Sequence, residues 1–230
     1  MKEKVKRKND AARAHRAWVR FGAAMICAFL LLAVTNFAFA KLLRGASPIG
    51  QLDRVIPGDY VSQDVSKILD NIATGNRGEE AAEVYAVVPA DRGIYVFCFP
   101  ERWFASELTV RAQTDAWLGD RSLETDRYLR VSGTAQTMPE DLKPHVNAWF
   151  AKNAEALAQI GLIPEGAAQE SCISGCVIYV DRVGALPYGT VMLLTLIACL
   201  CMCYALIVLL RIALRGYPAK RTKEERHGKA

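Results

Sequence analysis

The chain has 230 residues, 52% of them apolar and 23% charged, with a net charge of +5. That length holds one folded domain besides any membrane segments. Residues 1–20 and 211–230 together carry 15 Lys/Arg against four Asp/Glu, a net +11, whereas residues 41–182 carry 14 against 20, a net −6. Basic tails on an acidic middle exclude a basic nucleic-acid-binding domain.

Residues 1–20 form a basic tail ending in Trp18 and Arg20. Such clusters attract anionic lipid at about 1 kcal/mol per basic residue near the surface. Aromatic residues do not interleave with the cations, so nucleic acid is not an expected partner. Residues 21–43 read as a first transmembrane helix, because Phe21 to Ala40 is a 20-residue run without charge. Ala38-Phe39-Ala40 also has the small-x-small form of a signal cleavage site. A signal core is usually about 7–15 residues, so an uncleaved signal anchor is the preferred reading and cleavage after Ala40 the alternative.

Residues 44–58 have the Gly and Pro content of a linker, and residues 59–183 are the expected extracytoplasmic domain. Within it, Val61, Val65, Ile68, Leu69 and Ile72 are spaced as on a helix, with Asp59 or Ser62 as its cap. Thr74 to Glu80 is a turn-rich break. Glu83–Val88 and Ile94–Phe99 read as an antiparallel hairpin across a short Gly-ended loop. Glu101 to Leu118 reads as a helix with Phe104, Leu108, Ala112 and Trp117/Leu118 near one face. Tyr128 to Thr137 alternates as a strand, and Gly133 within it marks a bulge or a close backbone approach. Residues 140–160 carry the strongest amphipathic pattern, through Leu142, Val146, Trp149, Phe150, Leu157 and Ile160, with Pro144 tolerable only in the first turn. Cys176 to Val183 is the last strand. The expected fold is therefore an α+β domain with a mainly antiparallel sheet of about four strands and two or three helices, held between two transmembrane helices.

The second span, residues 187–210, is 24 residues without charge, closed by Arg211. At 1.5 Å per residue it is about 36 Å long, enough to cross a hydrocarbon core of about 30 Å. Lys and Arg gather on cytoplasmic flanks, so both tails, 1–20 and 211–230, are expected in the cytoplasm. The reading is a two-pass protein of the cell membrane with residues 45–182 outside.

The chain offers little that signals chemistry. His15, His145 and His227 are scattered, and no nucleotide loop, nucleophile elbow or zinc-protease pattern occurs. No catalytic residue, cofactor or metal ligand is assigned. In the spans, Thr195, Cys199 and Cys203 recur at i, i+4 and i+8, and Ala24 and Ala28 form a small face, so the two helices are expected to pack there. Outside lie Cys98, Cys172 and Cys176. A compartment beyond the cytoplasm permits a disulfide, expected as Cys172–Cys176 with Cys98–Cys176 the alternative.

The arrangement of basic tail, span, outer domain with IYVFCFP and YLRVSGT runs, span and basic tail resembles a kind of bacterial membrane protein with two spans around a small α+β or OB-like module. That resemblance brings no catalytic residues. The expected function is a non-enzymatic extracytoplasmic binding or assembly module. A membrane-face thiol-exchange factor or other enzyme, and an accessory subunit bound to another membrane protein, are the alternatives.

Overall fold

The structure, a computed structural model, describes residues 2–75, 82–91, 93–123 and 125–216, without the side chains of 2–14, 36, 37, 215 and 216. Most of the turn-rich break at 74–80 and most of the last basic tail lie outside the described residues. In chain order the elements are α1 (Lys2–Arg44), β1 (Ser47–Pro48), a 3-10 turn (Ile49–Gln51), β2 (Tyr60–Val65), β3 (Asp70–Gly75), β4 (Glu83–Ala90) and β5 (Gly93–Pro100). A 3-10 turn (Glu101–Trp103) then leads into α2 (Phe104–Gly119), β6 (Leu129–Thr137), α3 (Lys143–Gln159) and α4 (Gln169–Cys172). The chain closes with β7 (Ile173–Val180), β8 (Arg182–Val183), β9 (Leu186–Pro187) and α5 (Tyr188–Gly216). Two compact units result, one from the chain before residue 40 and after residue 188, the other from Ala40–Tyr188.

The first unit is built from the two long helices. His15–Thr35 and Tyr188–Leu214 are both long and apolar enough to cross a membrane. Burial along them follows a heptad rhythm. On α1 it runs through Phe21, Ala24, Ala28, Leu31, Thr35 and Ala38, and on α5 through Val191, Leu194, Ala198, Cys201, Ala205 and Val208. Steps alternating three and four keep one stripe facing a partner helix. Cys27 and Cys201 are neighbours across this seam. Ala24 and Ala28 fall on the buried stripe of α1, whereas Cys199 and Cys203 on α5 are exposed. Steps of four alone gain about 40° each at 3.6 residues per turn, so the i, i+4, i+8 stripe winds off the seam. Thr195 is half-buried and returns its hydroxyl proton to Val191 O at 2.8 Å.

The second unit is a seven-stranded mixed sheet in the order β1-β2-β6-β7-β5-β4-β3. Two neighbouring pairs, β1/β2 and β5/β7, are parallel; the other four are antiparallel. The sheet thus exceeds the four strands expected. The reason lies in the segment read as a helix. A spacing of four, Val61 to Val65, is both one helical turn and an even step along a strand, and an even step keeps side chains on one face. Here β2 pairs antiparallel with β6 over Tyr60–Val65, and Asp70–Gly75 forms β3 at the sheet's other edge. The expected linker also belongs to the fold, since Ile49 and Val55 are buried in its core.

Both faces of the sheet are covered. Alternation along β5 sends Tyr95, Phe97 and Phe99 into one apolar cluster and Ile94, Val96 and Cys98 into another. The first cluster includes Val110 of α2; the second includes Val146, Trp149, Phe150 and Leu157 of α3. The hairpin of β4 and β5, strand β6, helix α3 with Pro144 in its first turn, and strand β7 all match the sequence reading. Gly133 marks a close approach rather than a bulge. A Cβ there would stand 2.3 Å from Tyr179 O on the neighbouring strand.

Helix α2 presents a different face from the one its apolar residues imply. Leu108 and Leu118 are exposed, while Glu107, Val110 and Thr114 are buried. Besides setting Val110 into the core, α2 lies against irregular backbone between β2 and β3 and before β6, which needs hydrogen-bond partners rather than leucines. Thr114 Oγ1 accepts the Ile68 N–H at 3.0 Å and donates to Val110 O at 2.8 Å. Gln113 donates to Ser66 O and Arg127 O, and accepts the Arg127 N–H.

Glu107 is the costly member of this face, 1% exposed with Oε1 lacking a hydrogen-bond partner among the described residues. Burial holds its carboxyl above the usual range, against an opposing hydrogen bond from Asn71 and the charge of Arg111. A carboxyl with a raised folded-state pKa binds its proton more tightly when folded. Stability therefore falls as pH rises from the unfolded value through the folded one. Glu107→Gln removes that slope. Thermal unfolding across pH 4 to 8 is expected to show the variant above the native chain at neutral pH, with the gap closing toward acid. A variant no more stable at pH 8 than native, relative to pH 4, contradicts this account.

Candidate functional site

The parallel strands β5 and β7 end together, and β4 begins beside them. Ligands of open sheets commonly bind in the crevice outside the carboxyl ends of parallel strands. A crevice of about 480 Å³ occupies this place, lined by Glu83, Cys98, Glu101, Arg102, Asp181 and Arg182 among others. Tyr179, Val180, Pro100 and Pro187 supply its apolar walls.

Two ion pairs shape it. Glu83, at the first position of β4, is 8% exposed and accepts from Arg182 Nη2 at 2.5 Å through Oε1. The Arg182 guanidinium also lies 4.8 Å from the Tyr179 ring centroid, over its face. Among the described residues no nitrogen or oxygen donor reaches Glu83 Oε2, and the Cys98 thiol lies beside the carboxylate. Asp181 forms the second pair, accepting from Arg102 Nη2 at 2.5 Å and Arg102 Nε at 2.8 Å. The Trp103 indole N–H donates to the same Asp181 oxygen.

Asp181 adopts φ 62° and is the only described non-glycine residue with positive φ. Aspartate tolerates that region better than most residues, and the backbone around it is held by several bonds. Its N–H donates to Ser132 O at 2.9 Å, and its carbonyl accepts the Tyr188 N–H at 2.8 Å. Thr134 Oγ1 donates to Arg182 O and accepts the Gly184 N–H. The tight turn of β8 and β9 thereby aims Asp181 at Arg102 and Arg182 at Glu83.

Behind the ion pair sit Cys98, Tyr85 and Tyr179. Burial, followed by the charge of Glu83, pushes the Cys98 thiol well above its ordinary range. Burial likewise raises the Tyr85 hydroxyl, with Cys98 and Tyr179 adding to the effect. The reactive form of cysteine is the thiolate, so a thiol held protonated is a poor nucleophile.

Cys172 and Cys176 lie away from this crevice, at the start of β7. Cys98, Cys172 and Cys176 are all buried free thiols. The pleat turns Cys98 and Cys176, on the neighbouring strands β5 and β7, to opposite faces, while Cys172 ends α4 before the strand begins. Cys176 belongs to the apolar cluster on one face, with Val55 and Ile178, whereas Cys172 and Cys98 belong to the cluster on the other. Neither the Cys172–Cys176 bond nor the Cys98–Cys176 bond is formed. Burial also pushes the Cys176 thiol up. Among the described residues, no group of three His, Cys, Asp or Glu is placed to hold a metal ion.

Sequence reasoning missed Glu83, Arg102, Asp181 and Arg182, because isolated charges at strand ends read as solvated surface. A signal was nonetheless present: Glu83 opens one apolar run, and Asp181-Arg182 closes another. Comparison of the chain with protein-family models, with curated proteins and with solved structures gives no match.

Proposed function

We propose that the chain is a two-pass protein of the cell membrane, with both termini cytoplasmic and the α+β unit outside, serving as a non-enzymatic binding module. The observation that carries the reading is a folded unit flanked on each side in sequence by a helix long and apolar enough to span a bilayer. The +11 on the tails supports the orientation, because basic flanks stay in the cytoplasm. The crevice at the ends of β5 and β7 supports binding over catalysis. Its arginines are tied to carboxylates, and its one thiol is kept protonated.

Reporter fusions test the topology. An alkaline-phosphatase reporter, active only outside the cytoplasm, is expected to be active after Ala90 and inactive after Ala230. Activity at both positions, or at neither, overturns the two-pass reading.

A further inference from the structure

We propose that the crevice holds the headgroup of a zwitterionic phospholipid, one carrying a phosphate and a primary ammonium. This rests on the two-pass reading above. The covalent chain supplies the first argument. Pro187 lines the crevice, and the next residue, Tyr188, is the first of the apolar segment Tyr188–Leu214. Consecutive Cα atoms lie about 3.8 Å apart. When α5 crosses a bilayer, that wall sits at the level of the polar headgroups, which extend some way beyond the hydrocarbon core.

Charge supplies the second argument. The lining carries Glu83, Glu101 and Asp181 against Arg102 and Arg182, an excess of one negative charge. A lone anion is therefore repelled by the site as a whole. A lone cation leaves the arginine donors idle. Arg182 uses its Nη2 on Glu83, and Arg102 uses Nε and Nη2 on Asp181, whereas a guanidinium has five N–H groups. The carboxylates thus orient two guanidiniums whose remaining donors suit a phosphate. Glu101 is exposed and forms no ion pair among the described residues. It is the natural acceptor for an ammonium. Glu83, a buried carboxylate in the wall, adds fixed negative potential. Pro100, Val180 and Pro187 meet the methylenes between the two charges.

Native mass spectrometry of the full chain in detergent tests this, with phosphatidylethanolamine and phosphatidylglycerol supplied at equal concentration. The ethanolamine lipid is expected to be retained about tenfold better, a difference of about 1.4 kcal/mol. Glu101→Gln and Arg102→Gln each reduce that preference, and the double variant Glu83→Met/Arg182→Met abolishes it. The two single variants alter exposed side chains, so they decide the matter should the double variant fail to fold. Equal or better retention of phosphatidylglycerol overturns the proposal. So does a preference unchanged in both single variants, or displacement of the lipid by inorganic phosphate alone. A chain that stays soluble after detergent removal instead overturns the two-pass reading itself.

Discussion

Replacing Phe97 by alanine is expected to lower the stability of the α+β unit by about 3–5 kcal/mol, the usual cost of truncating a buried aromatic. Phe97 is 1% exposed on β5, which has β4 on one side and β7 on the other. Its ring stacks on Phe99 with centroids 6.0 Å apart and planes at 21°. A central strand with both neighbours in place cannot shift to fill the void, so collapse around the cavity is restricted. For a unit of roughly 150 residues, about 2–4 °C per kcal/mol puts the fall in Tm at about 6–20 °C. Thermal unfolding of the full chain in detergent, followed by tryptophan fluorescence, measures it. A fall below about 3 °C is incompatible with Phe97 filling the core in this way.

The second large effect concerns Glu83 and Arg182. Arg182→Met is expected to cost about 3 kcal/mol, the lower end of the range for orphaning one charge of a buried pair. The lower end applies because the Arg182 side chain is 23% exposed and that of Glu83 only 10%. The variant leaves the buried Glu83 carboxylate without its cationic partner, beside the Cys98 thiol whose proton its charge helps to hold. Glu83→Met/Arg182→Met removes both charges and is expected to recover most of the loss, because apolar replacements of a buried pair are often neutral or better. Urea denaturation of the two variants and the native chain completes the comparison. A double variant as damaged as the single one locates the cost in packing of the Arg182 stem on Tyr179 instead of in charge.

Several elements were legible because short-range chemistry decides them. Pro89, Gly93 and Pro100 bracket two β-branched and aromatic runs, and those runs form the β4–β5 hairpin. Helix α3 follows its three-and-four repeat, and Trp149 and Phe150 point into the core as the repeat implies. Other segments were ambiguous for stated reasons. Val61 and Val65 satisfy helix and strand alike, and only pairing with β6 makes them a strand. On α2, Leu108 and Leu118 suggested the wrong face, since the inward side is chosen by backbone groups of Ile68, Ser66 and Arg127 that need partners. The seam between α1 and α5 was half legible: the small residues were visible, but their stripe depends on the heptad drift of a packed pair.

By itself the sequence determined the uncharged length of the two long helices, the basic tails, the hairpin and helix α3, because each depends on residues close in the chain. Tertiary structure alone decided the rest. It set seven strands in place of four, put Cys172 and Cys176 on opposite faces of the sheet, and joined Glu83 to Arg182 and Arg102 to Asp181. Those partners stand 99 and 79 residues apart in the chain. Only the parallel ending of β5 and β7, beside the start of β4, brings them to one crevice, and no local propensity encodes which strands become neighbours.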